Sequence, residues 1–234
     1  SMRDRSISGF EALLRWSHRS RGAISPNEFI PLAEETGLIY DLGQWVLKKA
    51  CEQIAGWNKD KSKEEQLEIS INLSGRQFSD PNLVVGIVEN IEKSGFNAEF
   101  LKIEITESAL MENAQRSVSM LNQLKDLNIK VCVDDFGTGY SSLSYLHTFP
   151  IDTLKIDRSF VHDMSRNFRN MEIIRTIIML AHNLKLDVIA EGVETAEQYA
   201  QLSALGCQFA QGFYFSRPVN SSDAALLIQQ NHQW

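Results

Sequence analysis

Cysteine is scarce and poorly placed for cross-linking: there are three, Cys51, Cys132 and Cys207, far apart and set among apolar neighbours. An odd number at such spacings excludes a disulfide framework and offers no zinc-site pattern, so they read as buried thiols in a reducing compartment. Long apolar runs are missing too. The greasiest stretch, Ile173 to Leu184, is broken by Arg175, His182 and Asn183, well short of the roughly 18 residues of a membrane span. The amino end lacks a signal-peptide pattern. Positive charge is in deficit, with 23 Lys plus Arg against 30 Asp plus Glu and a net charge of −7. That argues against a general grip on DNA, RNA or anionic lipid, and an anionic ligand would need a local reversal of sign. No linker rich in Pro, Gly or Ser and no break in composition appears, so residues 1–234 read as one domain. Ser1-Met2 reads as a cloning remnant, and the abrupt start in Arg3-Asp4-Arg5 as the edge of a piece cut from a longer protein.

At 43% hydrophobic and 23% charged over 234 residues, the chain can bury a substantial core, which excludes disorder as its main state. Short runs rich in Val, Ile and Leu alternate with helical periodicity from one end to the other, the signature of repeated βα units. Seven strands are expected: Ser6–Leu14, Leu67–Leu73, Leu101–Thr106, Lys130–Phe136, Thr153–Ile156, Asp187–Glu191 and Gln208–Phe215. Helices are expected over Pro26–Glu35, Asp41–Trp57, Pro81–Ser94, Ala114–Leu127, Ser142–His147, Asn170–Leu184, Ala196–Leu205 and Ser222–Gln230. Asp80-Pro81 supplies an N-cap followed by proline at the first helical position, and Gly37 and Gly95 sit where helices end. The charged run 59–66, KDKSKEEQ, reads as a solvated loop. These units fit either an open doubly wound sheet or a closed (β/α) barrel near its lower size limit.

The polar residues favour the barrel. Each expected strand carries a polar group in its latter part or just beyond: Glu11, Asn72, Glu104, Asp134 with Asp135, Lys155 with Asp157, Glu191 and Gln211. In a closed barrel the carboxyl ends of the strands converge on one opening, so these groups would share a pocket. Two carboxylates about 4 Å apart at an effective dielectric near 20 repel by roughly 4 kcal/mol. Either some are protonated or cations sit among them. Carboxylates with one amide oxygen suit hard divalent ions such as Mg²⁺ or Mn²⁺, and such ions would supply the missing positive field. Adjacent aspartates point to opposite sides of a regular strand, so Asp134 and Asp135 serve one site only if the strand has ended there. Gly137 and Gly139 give the loop after them unusual backbone freedom.

These residues have a recognisable form. Glu11-Ala12-Leu13-Leu14-Arg15-Trp16 resembles the signature of the EAL domain, a family of phosphodiesterases that open the bacterial messenger cyclic di-GMP. The resemblance continues through Ile71-Asn72-Leu73-Ser74, Glu104-Ile105-Thr106-Glu107-Ser108, the loop Asp134-Asp135-Phe136-Gly137-Thr138-Gly139-Tyr140-Ser141-Ser142, Leu154-Lys155-Ile156-Asp157, Ala190-Glu191-Gly192-Val193-Glu194-Thr195 and Gln211-Gly212-Phe213. It covers nearly the whole chain in the family's order.

The resemblance implies an α/β fold, a modified TIM-type (β/α) barrel, holding two Mg²⁺ or Mn²⁺ ions, with Ca²⁺ inhibitory. Glu11, Asn72, Glu104 and Asp134 match the principal metal ligands, and Asp135 the carboxylate of the second ion. Lys155 matches the lysine near the attacking water, Glu191 a glutamate for metal binding or base function, and Gln211 a holder of the water and metal shell. Glu107 matches the residue that steadies the loop. Leu14 and Arg15 match substrate-binding positions, Arg15 at a phosphate, while Arg217-Pro218 fall in the mouth-lining loop. The implied reaction is hydrolysis of cyclic di-GMP to linear pGpG in the cytoplasm, by a homodimer joined through helices after the loop. In a longer protein the domain would follow PAS, GGDEF or membrane-sensor segments. A non-hydrolysing cyclic di-GMP receptor or a scaffold role is the alternative, and a metal-dependent barrel enzyme for another phosphorylated metabolite a remoter one.

One departure is visible. The family has a strand ahead of the EAL segment, often with a Gln-Pro-Ile-like sequence, and this chain begins after it. A barrel short of one strand exposes two unpaired edges, on which ligand alignment and catalysis then depend. The histidines, His18, His147, His162, His182 and His232, lack metal-ligand spacing. Trp16 reads as a packing residue, and Phe209, Phe213 and Phe215 as core side chains alternating across a strand.

Overall fold

The expected strands pair in chain order. The computed structural model describes residues 1–139 and 143–230, and in it seven parallel strands curl into a half-barrel. They are β1 (Gly9–Ala12), β4 (Glu68–Leu73), β5 (Leu101–Thr106), β6 (Lys130–Phe136), β7 (Thr153–Ile156), β8 (Asp187–Glu191) and β9 (Phe209–Gln211), each bonded to the next. An antiparallel hairpin of β2 (Trp16–His18) and β3 (Gly22–Ile24) follows β1. Sequence reading missed it because three-residue strands carry too little periodicity to register.

Four strands have the expected bounds, and the two at the edges are shorter than expected. Strand β1 covers only Gly9–Ala12 of the stretch Ser6–Leu14, and β9 only Phe209–Gln211 of Gln208–Phe215. Each has one bonded neighbour instead of two, so its pairing lapses sooner. The turn after Gln211 has a local cause as well. Gly212 lies so close to the Val193 backbone that a Cβ would meet the Val193 carbonyl oxygen at 2.2 Å. Phe213 therefore leaves the sheet and is half exposed, a correction to the expected three-phenylalanine core stripe.

Two layers of opposite character follow from the strand period of two. Ile69 and Ile71 of β4, Leu101, Ile103 and Ile105 of β5, Val131 and Val133 of β6, Leu154 and Ile156 of β7, and Val188 and Ala190 of β8 are buried in one apolar cluster between sheet and helices. Fully burying such a side chain contributes about 1.5–3 kcal/mol, so this annulus holds the fold. The intervening residues fill the lumen and are polar: Lys102, Cys132 and Thr153 low down, then Glu104, Asp134 and Lys155 two residues further along. At the amino end of the strands Glu68 pairs with Lys102 at 2.8 Å and with Lys130. There the lumen opens into a cleft of about 1040 Å³.

The helices dock on the annulus by their apolar faces. The helix Leu38–Asn58 buries Leu47, Ala50, Cys51 and Ile54, and its last residue clamps the start of β4. Asn58 Nδ2 donates to the Leu67 carbonyl at 2.9 Å and Asn58 Oδ1 accepts from the Leu67 amide at 2.8 Å. Gly37, at φ 80°, closes the helix Pro26–Thr36 and opens the next, which suits glycine because left-handed backbone costs other residues. Gly95 closes Leu83–Ser94 in the same way at φ 65°. That helix begins two residues later than Pro81, because Asp80 turns the chain by accepting from the Asn82 amide. Helices Ala114–Asp126, Leu143–Leu146, Phe168–Asn183, Ala196–Ala204 and Ser221–Gln230 match the expected ones within two residues at each end. Short helices Gly75–Phe78, Glu107–Glu112 and Arg158–His162 come in addition, each directly after a strand or one residue on. Within the run 59–66, Lys63–Glu65 forms a single 3₁₀ turn. No helix among the described residues is long and apolar enough to cross a membrane.

Candidate active site

Lys155 is the hub. It stands on β7, flanked on both sides by bonded strands, and its side chain is 2% exposed. Its Nζ donates to Glu104 Oε2 at 2.6 Å and to Glu11 Oε2 at 3.1 Å, and lies 3.6 Å from Asp134 Oδ1. Strands β1, β5, β6 and β7 thus deliver one charged group each to a single point at their carboxyl ends. Burial alone would lower the lysine's pKa. Glu104, Glu11 and Asp134 outweigh that effect and raise its pKa, so the ammonium persists.

Two carboxamides complete the shell of Glu11. Asn72 Nδ2 donates to Glu11 Oε1 and Gln211 Nε2 to Glu11 Oε2, both at 2.6 Å. Burial would raise the Glu11 pKa, but Lys155 and these two donors together lower it, leaving an anion with both oxygens held. The Asn72 side chain, turned by its nitrogen to Glu11, keeps its Oδ1 for another partner.

A second acidic group lies beside the first and shares Asp134 with it. Carboxylate oxygens of Asp134, Asp135 and Glu191 lie within 4.8 Å of one another. β6 runs through both aspartates to Phe136, as expected, and brings them to one site without ending there, because it bulges. Its pairing with β7 passes from Val133–Leu154 to Phe136–Ile156, so one extra residue is inserted between, and Asp135 takes φ 53°. The bulge turns two successive side chains toward the same site. Burial and the neighbouring acids Asp134, Glu11 and Asp135 push Glu191 up to about 7, against the pull of Lys155. Asp135 is raised as well, by burial and by Asp157. Carboxylates this crowded and short of cations hold protons more tightly.

Asp157, singled out in the sequence without a role, faces Asp135 and caps the helix Arg158–His162 by accepting from the Ser159 amide at 3.0 Å. Its spacing of two from Lys155 is the signal that places it on that side. Glu107, buried at the start of its short helix, accepts from the Gly137 amide at 3.1 Å and so ties the β6 loop to β5. The last residues of that loop motif, Tyr140, Ser141 and Ser142, lie outside the described residues, as does His232.

The remaining candidates sit further out. Leu14 and Arg15 follow β1 directly, and the exposed Arg15 donates to the Leu14 carbonyl at 2.9 Å. Arg217 lies over the Phe213 ring at 4.4 Å, with Pro218 exposed beside it. Trp16, on the hairpin, packs edge-on against Phe29 of the helix Pro26–Thr36 at 5.8 Å yet keeps 41% of its surface exposed. His147, His162 and His182 are exposed, and none belongs to the group of carboxylates that could hold a metal ion among the described residues. Cys51, Cys132 and Cys207 are free and buried, and burial pushes the Cys51 and Cys207 thiols up to about 12, which leaves them unreactive. Sequence reading overlooked the Glu68–Lys102–Lys130 group below the site, because charges at the amino ends of strands look like solvent-facing residues.

The donor set is carboxylate and amide oxygen throughout, with neither thiolate nor imidazole, and it suits a hard divalent cation. The raised Glu191 marks where positive charge is wanting.

Comparison with known proteins points to one family. The family model described as EAL domain matches residues 1–218. The cyclic di-GMP phosphodiesterase NbdA of Pseudomonas aeruginosa is 41% identical over 219 residues, which are 94% of this chain and 28% of that protein. The bifunctional diguanylate cyclase/cyclic di-GMP phosphodiesterase MucR of the same bacterium is 41% identical over 211 residues, 90% of this chain and 30% of that protein. Among solved structures, that of the PaMucR phosphodiesterase in complex with c-di-GMP superposes with a TM-score of 0.89 at 40% identity, covering 93% of this chain and 87% of that one. Among eight similar curated relatives, the matched stretch covers between 26% and 35% of each protein's length.

Proposed function

This chain belongs to the EAL domain family, and from that premise we propose that it hydrolyses one 3′,5′ linkage of cyclic di-GMP to give linear pGpG. The observation that carries the reading is the convergence of Glu11, Glu104 and Asp134 on Lys155 beside the trio Asp134, Asp135 and Glu191. Glu11, Asn72, Glu104 and Asp134 would hold one Mg²⁺ or Mn²⁺ ion, and Asp134, Asp135 and Glu191 a second. Bound there, divalent cations offset the charge of an anionic phosphodiester and acidify water for attack.

The chain's own groups divide the remaining work. Lys155, kept protonated by its acids, contributes positive charge near the reacting phosphate and is unsuited to be the base. Glu191, held at about 7 by burial and its acidic neighbours in the metal-free site, would become fully anionic beside divalent cations and serve as a ligand of the second. Gln211 fixes Glu11, and Glu107 fixes the β6 loop. Leu14, Arg15, Arg217 and Pro218 line the approach, and the exposed Arg15 guanidinium would exchange the Leu14 carbonyl for a substrate phosphate.

Calcium, larger and less exacting in geometry than magnesium, would occupy the same oxygens and inhibit. Residues 1–234 act as one domain of a cytoplasmic signalling protein, and the bifunctional relative favours a parent that also carries a cyclase unit. A homodimer is supported by the exposed apolar residues Tyr145, Phe168 and Met179 on the helices after the β6 loop. Incubation with cyclic di-GMP and Mn²⁺, followed by chromatography, should yield pGpG. Binding without turnover would replace the enzyme reading with the receptor one, and neither binding nor turnover would defeat both.

A further inference from the structure

We infer that Lys155 is the resident counter-cation of the acidic cluster, holding it together in the absence of metal and competing with divalent ions for the same oxygens. The inference rests on the proposal that the cluster binds such ions, and concerns what this side chain does before they arrive. Three carboxylates lie within 3.6 Å of its ammonium, and it is the only salt-bridge partner of Glu11, Glu104 and Asp134 among the described residues. The other lumen lysine, Lys102, is engaged below with Glu68 at 2.8 Å and does not substitute for it.

The geometry also rules out easy avoidance. Glu104 and Glu11 have side chains 1% and 8% exposed where they meet Lys155, so water cannot screen them fully. Lys155 sits in the middle of the sheet between β6 and β8 and cannot swing out to solvent. Without the ammonium, the acids must bind protons, bind metal or force the strand ends apart. With it, each oxygen held by the lysine is one that an incoming cation must win. One side chain therefore sets metal-free stability and metal affinity in opposite directions, because a ligand stabilises a fold by its affinity for the folded state.

The test compares wild type, Lys155→Met and Glu104→Gln/Lys155→Met by thermal unfolding in chelator and in graded Mn²⁺, with calorimetric Mn²⁺ titration and no nucleotide. Lys155→Met should lower the metal-free Tm by about 10 °C, as expected for an unpaired buried charge in a domain of this size. It should bind Mn²⁺ about tenfold more tightly, since removing a competing unit charge at contact distance is worth at least that. Glu104→Gln/Lys155→Met, with one acid fewer, should recover part of the lost Tm. An unchanged metal-free Tm, or Mn²⁺ binding that is unchanged or weaker in Lys155→Met, overturns the inference. A Lys155→Met protein that folds only with Mn²⁺ supports it. If that variant fails under both conditions, the double variant decides: folding supports the counter-cation role, and failure assigns Lys155 to packing alone. A wild-type Tm indifferent to Mn²⁺ sinks the metal reading and with it the competition, whereas normal Mn²⁺ behaviour without pGpG sinks only the proposed hydrolysis.

Discussion

Gln211 on the last strand donates to Glu11 on the first at 2.6 Å, across 200 positions of sequence. The two edges of the half-barrel are thereby joined inside the candidate site. The backbone adds a second tie, from the Met2 amide to the Gln208 carbonyl at 2.9 Å. Gln211→Ala should cost about 1.5–3 kcal/mol of stability, the worth of a hydrogen bond to a charged acceptor. It should lower cyclic di-GMP turnover by about 10- to 100-fold through loss of ligand orientation. Gln211→Glu should be worse in metal-free protein, since it sets a second carboxylate against Glu11. Equal melting temperatures for the two variants would count against this.

The pH dependence of metal-free stability carries a definite sign. Glu191 moves from the ordinary 4.5 to about 7 on folding, so between those values the folded protein retains a proton that the unfolded chain has lost. Stability must therefore fall as pH rises through that window. The acids Glu11 and Glu68, lowered in the fold, act oppositely and at lower pH, so the difference between proteins is the quantity to follow. Denaturant midpoints of wild type and Glu191→Gln from pH 4.5 to 8 should diverge, with the variant losing less stability toward neutral pH. Parallel curves would show that Glu191 titrates normally.

Asp135 combines a ligand-type side chain with a left-handed backbone at φ 53°. Such a conformation costs a non-glycine residue about 1–2 kcal/mol. Asp135→Gly should therefore leave thermal stability in chelator equal or higher while weakening Mn²⁺ affinity by at least about tenfold. Asp135→Val should lose both, because a β-branched residue resists that region most strongly. Should Asp135→Gly prove as unstable as Asp135→Val, the bulge would depend on the carboxylate and not on the backbone.

Glu107 ties the β6 loop to β5 through Gly137 at 3.1 Å. Glu107→Ala leaves that amide without its acceptor, at a cost of about 1–3 kcal/mol. Amide exchange at residues 136–139 should accelerate in the variant far more than exchange in β5, and turnover should fall without a matching loss of Mn²⁺ affinity. Unaltered exchange in the loop would leave Glu107 a purely local helix residue.

Much of this was legible in the sequence. Strands β5 to β8 announce themselves because their Val, Ile and Leu positions alternate with lumen residues, and their bounds follow from the turns on either side. The convergence of Glu11, Asn72, Glu104, Asp134, Lys155 and Gln211 is also readable, since a barrel brings strand ends together whatever their separation in the chain. What pattern does not encode is local geometry. The inserted residue at Asp134-Asp135 depends on pairing with β7, which one strand's own sequence cannot reveal. The shortness of β1 and β9 depends on having one neighbour. Phe213 keeps the alternation of a core residue yet leaves the sheet because of a close backbone approach at Gly212. Lys155 is the sharpest case, because only three-dimensional contacts distinguish a lysine beside water from one enclosed by three acids.

The segregation of apolar side chains to the outer annulus and polar ones to the lumen has a consequence for how such a protein can change. Sites that decide whether the chain folds and sites that decide what it does to a ligand occupy alternate positions on the same strands, one residue apart. Drift in the lumen can retune or silence the chemistry while the annulus keeps the architecture intact. A descendant could thus lose its reaction and survive as a well-formed shape for other work.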